Sequence, residues 1–330
     1  MIAVDPDLLH RLVAEARLAP SVHNIQPTRV SLSDGVILLQ DDPARRLPAA
    51  DPNGHDVRLS HGAFLEGLAL ALGRAGLAIA DLVLAPSGAA GPIARITVAE
   101  GAPDPLASHV PNRASWRGGF STADAAVGAA LARLAADQPD LTLVSEQQAI
   151  GRIAALADRA GLFFLRDAGH RRELLQWMRL SKAHPDHDRD GLNAEAMALG
   201  RIEAFGAGLV LGPLFPLLDR LGLAGPVTAE AGEAGSAAAM ALFHRAEGED
   251  PLVTGRAFYR AWLAMAAQGL AGCPVSVLVD WPETHAALCA AHPLPAGRRL
   301  VNVFRIGVPA GPRRISHARL PVEALIRPAS

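Results

Sequence analysis

The sequence APSVHNIQP, residues 19–27, decides how the rest of the chain is interpreted. It follows an apolar helical pattern that begins at Asp5-Pro6-Asp7 and that Pro20 ends. Within it stand four hydrogen-bonding side chains, Ser21, His23, Asn24 and Gln26. So many donors and acceptors between an apolar helix and a strand-like run indicate a polar ligand rather than a plain turn.

The composition predicts a soluble globular protein with one large domain or two smaller ones. The chain has 330 residues, of which 50% are hydrophobic, enough for a sizeable core. Its 31 basic and 33 acidic residues give a formal charge of -2, without the basic excess that nucleic acid or an anionic membrane surface favours. We therefore expect no nucleic-acid partner and no membrane partner.

Cysteine usage and the start of the chain predict a cytoplasmic protein. Only Cys273 and Cys289 could form a disulfide, which is compatible with a reducing compartment. The opening MIAVDPDLLHRLV carries acids where a secretory signal carries basic residues. The apolar run 205–218 is interrupted by glycines and prolines, so we expect a buried or lid-like segment rather than a membrane span.

Patterns along the chain predict an order of helices and short strands. Residues 29–40 are expected to form a hairpin around Asp34-Gly35, because that dipeptide tolerates positive φ. The other predicted strands are 93–98, 141–144, 275–279 and 300–306, and the other predicted helices are 59–77, 122–135, 147–160, 254–270 and 281–290. Residues 101–111 have the composition of a linker.

Two further motifs carry arginine. Arg113-Ala-Ser115-Trp-Arg117 precedes a predicted helix, and His317-Ala-Arg319 follows the last predicted strand. Two arginines and a serine beside a helix start suit a phosphate, since arginine offers forked donors and the helix start offers unpaired N–H groups. Taken alone, arginine-rich turns are more often solvated surface.

Together the three segments resemble the nitroreductase family of flavin enzymes. That family has a PSxxNxQPW motif, an RRSxRxF motif and a basic tail, to which APSVHNIQP, RASWRGGF and SHARLP are similar. The order of the motifs is displaced, as if two nitroreductase-like halves had been joined. This arrangement resembles the double-length Acg-like branch, in which one chain forms a pseudo-dimer with one FMN, and the resemblance covers nearly the whole chain.

The resemblance implies an α+β fold with two halves, each a mostly antiparallel sheet flanked by helices, arranged as an intramolecular pseudo-dimer. The first half is expected to span 1–104 and the second 105–330, with a lid-like insertion around 180–248 that is rich in glycine, alanine and proline. The assembly is expected to be a monomeric pseudo-dimer or a homodimer.

The resemblance also implies cofactor-binding roles for individual residues. Those expected on the FMN phosphate and ribityl chain are Arg113, Ser115, Arg117, Arg319 and His317. Those expected near the flavin ring are Ser21, Asn24, Gln26, Pro274 and Ser276. His23 belongs to the same set, or is instead a satisfied polar residue at a helix end. The sequence departs from the family at Thr28, where a Trp is usual, at Ala114 and at Gly118-Gly119.

The function implied is that of an FMN-dependent oxidoreductase. Reduced nicotinamide, NADPH or NADH, would pass electrons through FMN to a small-molecule acceptor such as a nitroaromatic or a quinone. No side chain is assigned as a catalytic acid, because hydride transfer belongs to the flavin. A different class stays open: a protein that stores or sequesters FMN under a lid, without nicotinamide-driven turnover.

Two hydrolytic alternatives are weaker. The run HPDHDRD, residues 184–190, has metal-ligand residue types, but no spaced His/Glu pair on a helix accompanies it. Ser21 and His23 suggest a nucleophile and its base, but no GxSxG sequence surrounds Ser21.

Overall fold

The first half of the chain forms a four-stranded sheet covered by two helices. The computed structural model describes residues 2–311, 316 and 318–328. The elements of the first half are α1 (Pro6–Ala16), β1 (Thr28–Ser33), β2 (Val36–Asp41), α2 (His55–Arg74), β3 (Leu77–Leu84) and β4 (Ala94–Glu100). The strands run in the spatial order β1-β2-β4-β3, and every neighbouring pair is antiparallel.

The second half forms a second four-stranded sheet, within a longer stretch of chain. Its first elements are α3 (Ala125–Asp137), β5 (Leu141–Val144), α4 (Gln147–Arg166), α5 (Ala168–Trp177), β6 (Met178–Arg179), β7 (Leu192–Asn193), α6 (Arg201–Leu211), α7 (Phe215–Arg220), α8 (Ala224–Thr228) and α9 (Ala231–Gly235). The later ones are β8 (Ala239–Ala246), α10 (Pro251–Ala267), β9 (Ala271–Pro274), α11 (Val277–Asp280), α12 (Pro282–Ala291), β10 (Arg298–Gly307) and α13 (Val322–Leu325). The strand order β5-β8-β10-β9 is again antiparallel throughout.

The two sheets repeat one arrangement. In each, the first two strands in chain order pair with each other, a long helix follows, and the last two strands complete the sheet with the final strand placed inside. The expected fold class, two helix-flanked antiparallel sheets, is therefore confirmed. The hairpin is confirmed as well, with β1 and β2 joined by Asp34 and Gly35 at φ of 51° and 77°.

The long helices α2 and α10 cross in direct backbone contact. A Cβ atom added to Gly62 would lie 1.9 Å from the carbonyl oxygen of Leu252, and one added to Gly255 would lie 1.9 Å from the carbonyl oxygen of Leu59. The contact is therefore reciprocal, as across a two-fold axis. Only glycine lets the two backbones approach this closely.

The two sheets differ in how they are covered. Helices α1 and α2 pack on the first sheet through residues such as Val13, Leu68 and Ile96, whereas Val83 on β3 is exposed. The second sheet has apolar clusters on both faces: Phe243 and Trp262 belong to one, and the other joins β8 and β10 to α4 and α12. The second sheet is therefore buried on both sides.

Several sequence-based boundaries were wrong. Residues 275–279, expected as a strand, contain the helical turn α11, and the strand β9 lies just before them. The lid-like insertion expected at 180–248 includes β8, which lies inside the second sheet between β5 and β10. The linker expected at 101–111 contains a 3-10 helix, Pro105–Asn112, whose Ala107 and Val110 are buried.

The apolar run 205–218 forms most of α6 and α7 at the surface. Phe205 is 71% exposed and Leu217 56% exposed, whereas Phe215 is 2% exposed, so the run is only partly buried. Within the described part of the chain, no helix combines the length and apolar character needed to cross a membrane.

Candidate functional site

The PSVHNIQ segment forms a strained turn after α1. Its centre is a single 3-10 turn, Val22–Asn24, and His23, Asn24 and Gln26 have positive φ of 43°, 54° and 51°. Residues other than glycine adopt this conformation rarely, and such strain clusters at functional sites. Two hydroxyls hold the turn: Ser21 Oγ accepts from the backbone N–H of Gln26 at 3.0 Å, and Ser60 Oγ accepts from that of Val22 at 3.0 Å.

The amide side chains of this turn hold two distant segments. Asn24 Nδ2 donates to the carbonyl oxygens of Gly191 at 3.1 Å and Ala318 at 3.0 Å. Gln26 Nε2 donates to the carbonyl oxygen of Arg189 at 2.9 Å, and its Oε1 accepts from the backbone N–H of Leu320 at 2.8 Å. The turn therefore fixes both the tail and a segment of the second half, residues 186–200, which we call the strap.

Three arginines meet at the carboxyl end of α1, and the first is Arg17, which ends the helix and donates through Nη1 to the carbonyl oxygen of Leu320 at 2.8 Å. Arg113 Nη2 donates to the carbonyl oxygen of Leu18 at 2.9 Å, and Arg319 Nε donates to that of Arg17 at 2.7 Å. The Arg113 guanidinium also lies over the rings of Trp262 and Tyr259, 4.6 Å and 5.7 Å from their centroids. The structure thus brings the arginines of the RASWR motif and of the SHARLP tail to the end of α1, the helix that the APSVHNIQP motif follows.

Positive charge is concentrated at this point. Burial lowers the pKa of Arg319 to about 9, and the neighbouring charges of Arg113 and Arg17 lower it further toward that value. Burial also raises the pKa of Tyr259, so its phenol is neutral and supplies no counter-charge. Among the described residues, no carboxylate forms an ion pair with Arg319. A buried cation of this kind is costly, so the surroundings of Arg319 are suited to an anion.

A cavity of about 250 Å³ lies between the RASWR motif and the strap. One wall carries Ser115, Trp116 and Arg117, and the opposite wall is formed by residues 195–200. Arg117 Nη1 spans the two walls by donating to the carbonyl oxygen of Ala196 at 2.8 Å. Ligand pockets begin at roughly 300 Å³, so this cavity is small for a flavin while the strap is in place.

His23 places the first motif within the electrostatic influence of Arg117. Burial lowers the pKa of His23 to about 4, and the positive charge of Arg117 contributes to the shift. The imidazole is therefore neutral at physiological pH. Its Nδ1 is buried and has no hydrogen-bond partner among the residues that the structure describes. His23 and Arg117, which belong to motifs about ninety residues apart in sequence, are thus close enough to influence each other electrostatically.

The remaining predicted residues lie further along the second sheet. Ser115 pairs with Gly272 on β9, and Pro274 follows on the same strand, opposite Phe304. Ser276 lies just before α11, where its hydroxyl contacts the Asp280 carboxylate. His317 lies outside the described residues.

Sequence reasoning missed Arg17 and the strap residues that close the site. Arg17 lies three positions before Pro20, the start of the PSVHNIQ segment, and that position is the signal that could have marked it. The strap gave no comparable signal, because its contacts use backbone carbonyl oxygens that any residue carries.

The hydrolytic alternatives find no support in the geometry. Within residues 2–311, 316 and 318–328, no group of His, Cys, Asp and Glu side chains is placed to hold a metal ion. In the candidate metal run, Asp190 is paired with Arg179 at 2.9 Å and Arg45 at 3.0 Å. No hydrogen bond joins Ser21 to His23 among the described contacts, so the pair does not form a nucleophile and base.

No protein-family model matches this chain, and no curated protein matches it. Among solved structures it is similar to a nitroreductase with bound FMN from Bacteroides fragilis, 12% identical over 63% of this chain and 89% of that one, with a TM-score of 0.34. The FMN-dependent nitroreductase NfnB from Mycobacterium smegmatis in complex with NADPH is 19% identical over 67% and 91%, with a TM-score of 0.36. A BluB-like flavoprotein from Clostridium difficile is 15% identical over 67% and 97%, with a TM-score of 0.37. Likeness at this level does not define the family of this chain.

Proposed function

We propose that this chain is an FMN-binding oxidoreductase whose single flavin lies between its two halves. The observation that carries the proposal is the buried arginine cluster at the end of α1, where Arg17, Arg113 and Arg319 meet. The three segments that resemble flavin-binding motifs, APSVHNIQP, RASWRGGF and SHARLP, either contribute residues to this arginine cluster or lie next to it. A phosphate dianion would place negative charge beside Arg319, whose pKa burial and the neighbouring arginines lower.

The residues present fit the phosphate and ribityl part of FMN. Ser115 and Arg117 line the cavity, and Arg319 lies in a charge environment that favours an anion. The donors of Arg319 also stabilise the carboxyl end of α1, where cations are favourable. Arg319 therefore combines a structural role with the proposed binding role.

The residues expected at the flavin edge fit only if the strap moves. Asn24 and Gln26 use their amide groups on carbonyl oxygens of the strap and tail. His23, in contrast, has a neutral imidazole with Nδ1 unbonded beside Arg117. We therefore assign His23 as the residue of the first motif that meets the cofactor while the strap is closed.

FMN, when bound, supplies the transfer of hydride and electrons between a reduced nicotinamide and an acceptor. The chain supplies binding, orientation and fixed charge. Arg117 places a positive charge near the neutral His23, and fixed charge of this kind would stabilise negative charge on a bound flavin. We propose NADPH or NADH as the reductant and a nitroaromatic, a quinone or a similar small molecule as the acceptor.

The proposed division of the chain follows from the same site. The first half, residues 1–104, supplies α1 and the strained turn, and the second half, residues 105–330, supplies the RASWR motif and the tail. We propose a cytoplasmic protein that acts as a monomeric pseudo-dimer or a homodimer. Within the segment expected as a lid, residues 180–248, the strap is the part that covers the site.

One observation favours the second candidate function, FMN storage. The strap lies against the cavity, and Arg117 ties it to the opposite wall. A cofactor held behind a closed strap is shielded from a nicotinamide in solution. In that case the protein binds FMN but does not catalyse electron transfer from a nicotinamide.

One experiment tests the proposal and separates the two candidates. The purified protein is loaded with FMN, freed of excess cofactor, and mixed under anaerobic conditions with NADPH or NADH, while flavin absorbance is followed. Bleaching of the flavin and subsequent reoxidation by a nitroaromatic support the oxidoreductase. Bound flavin that dithionite reduces but neither nicotinamide reduces supports the store, and failure to retain FMN rejects both.

A further inference from the structure

Three consecutive helices, α6, α7 and α8, present large apolar side chains to solvent. Eight such residues, which we call the α6–α8 face, are between 38% and 88% exposed: Ile202, Phe205, Leu209, Leu214, Leu217, Leu221, Leu223 and Val227. The other exposed large apolar residues of the described chain lie in four separate segments, at Val83, Phe163, Val253 and Val308. Single exposed apolar residues are normal, but a concentration of eight marks a surface that binds something.

The spacing of these residues places them on one side of the helices. On α6 they follow the intervals i, i+3 and i+7, and so do those along α7 and its two flanking residues: Ile202, Phe205 and Leu209, then Leu214, Leu217 and Leu221. Residues at these intervals share one face of a helix. Because α6 packs against α7 and α7 packs against α8, the exposed residues of the three helices form one surface.

The opposite side of the same helices is already packed. Ala204, Phe215 and Ala224, one from each helix, are at most 3% exposed. The ring of Phe215 also lies under Arg171, whose guanidinium is 4.5 Å from the ring centroid. The helices therefore have their own contacts with the rest of the second half, and the α6–α8 face is a second apolar surface that points outward.

The size of the α6–α8 face matches one side of a protein–protein interface. Eight residues of this kind at these exposures leave on the order of 800 Å² open to solvent, about the area that each partner of a standard interface buries. The largest apolar patch on a typical monomer is smaller, roughly 300–600 Å². The face is therefore large enough for a stable complex.

The charges of the segment indicate which partner fits. Residues 201–228 carry two basic and two acidic side chains, Arg201, Glu203, Asp219 and Arg220. Helices that lie on an anionic membrane are instead rich in lysine and arginine. In a two-fold dimer the same surface faces itself, so equal numbers of acids and bases can pair across the axis.

The two acids keep an oxygen for such a pairing. Oε2 of Glu203 accepts from the backbone N–H of Gly200 at 2.7 Å, and Oδ1 of Asp219 accepts from Arg166 at 2.9 Å. The other oxygen of each carboxylate makes no hydrogen bond among the described residues. Balanced charge with open acceptors favours a second copy of the chain over a lipid surface.

We propose that a second copy of this chain covers the α6–α8 face, so that the protein is a homodimer whose two-fold axis passes through that face. Each protomer contributes α6, α7 and α8, and the interface lies within the second half. The dimer does not depend on FMN, so it goes beyond the proposed function.

Sedimentation equilibrium of the full chain without FMN tests the proposal, over concentrations from about 1 to about 100 μM. We expect a mass twice that of the chain at the upper end of this range. Phe205→Lys and Leu217→Lys each place a charge in the face and should raise the dissociation constant of the dimer by at least about thirtyfold, the scale of losing a hot-spot residue.

The matched control is Val83→Lys, which changes an exposed apolar residue of β3 in the first half and should leave the mass unchanged. All three positions are exposed, so the variants should keep the fold, and circular dichroism and the thermal midpoint check this. A dimer that survives both Phe205→Lys and Leu217→Lys forms through another surface and overturns the proposal.

A wild-type protein that stays monomeric at every concentration also overturns the proposal. Flotation with vesicles of phosphatidylcholine and phosphatidylglycerol then identifies the rival occupant: a monomer that floats with the vesicles, and whose Leu217→Lys variant does not, uses the face on a membrane. Since none of these measurements involves FMN, the dimer and the proposed function can fail separately.

Discussion

The two sheets share one strand order but have opposite roles in the molecule. The first is compact, lies within residues 28–100, and leaves part of one face exposed. The second spans 141–307 and is interrupted by helices, which cover its other face, and by the strap, which lines the cavity. Two copies of one arrangement therefore need not contribute equally to the candidate site: the first half contributes the strained turn, and the second contributes the RASWR motif and the strap.

The largest expected effect concerns the contact that joins the halves. Gly62→Ala places a Cβ against the backbone of α10, which cannot give way as a side chain can. We expect a loss of about 3 kcal/mol or more in the free energy of unfolding, as for severe overpacking. Gly255→Ala should cost a similar amount, and urea denaturation measures both.

The matched control for this contact is Gly128 in α3, where an added Cβ meets no atom within 4 Å. Gly128→Ala should stabilise the protein by roughly 0.5–1 kcal/mol through helix propensity. If Gly62→Ala behaves like Gly128→Ala, the close crossing of the two halves is wrong.

The next effect concerns the arginines through which the two halves would share one ligand. Arg117→Ala and Arg319→Ala should each weaken FMN binding by about 1.5–3 kcal/mol, the scale of a hydrogen bond to a charged group. Fluorescence titration with FMN measures the change. Arg152→Ala, on the exposed surface of α4, is the control and should leave the affinity unchanged. Unchanged affinity in both site variants would remove the phosphate assignment.

A smaller effect is expected where the halves place opposite charges together. Glu66 of α2 is 2% exposed and accepts from Arg256 and Arg260 of α10 at 2.8 Å and 2.7 Å. Glu66→Gln should reduce the free energy of unfolding by about 1–2 kcal/mol, after allowance for solvent screening at the two partly exposed arginines.

The control for this ion pair is Glu15→Gln, which removes an exposed pair with Arg74. That substitution should cost no more than about 0.5 kcal/mol. Thermal denaturation at low and high salt measures the loss of stability in the two variants. Equal losses of stability in Glu66→Gln and Glu15→Gln would show that the buried pair does not link the halves.

The smallest effect is expected where the halves place like charges together. Burial raises the pKa of Asp56 to about 7, and Asp280 of the second half and Asp51 add to the rise. Because this pKa lies above that of the unfolded chain, the contribution to stability is present at low pH and is lost as the pH rises through about 7.

The free energy of unfolding of Asp56→Asn should therefore match that of the wild type near pH 4 and exceed it by on the order of 1 kcal/mol near pH 8. The gain is reduced because a negative charge at the amino end of a helix is itself favourable. Urea midpoints at the two pH values measure this difference. Asp7→Asn, in the exposed first turn of α1, should show no gain at high pH. A variant that is less stable than the wild type near pH 8 would contradict the assigned repulsion.

Local chemistry allowed most of the first half to be predicted. Asp34-Gly35 marked the hairpin, and Asp5 with Pro6 marked the start of α1, where Asp5 accepts from the N–H of Leu8. The second half was harder, because β8 is rich in alanine and resembles an insertion in sequence. It forms a central strand because helices cover both of its faces, and small side chains then pack well.

The sequence motifs of the candidate site could be predicted, but the hydrogen-bond partners of their side chains could not. The structure brings Arg113 and Arg319 close together, and the prediction that both bind the FMN phosphate stays a prediction. The partners of Asn24 and Gln26 could not be foreseen, because backbone carbonyl oxygens of a distant strap leave no trace in sequence. The apolar run 275–279 was expected as a strand, yet the chain turns at Ser276 into α11.

The most direct test of the central claim is the FMN stoichiometry of the purified protein. The protein is saturated with FMN and freed of excess, the bound cofactor is released by denaturation, and chromatography identifies and quantifies it. A single site between two unequal halves predicts FMN near one per chain. A colourless protein that takes up no added FMN would contradict the account, and two FMN per chain would show that each half carries its own site.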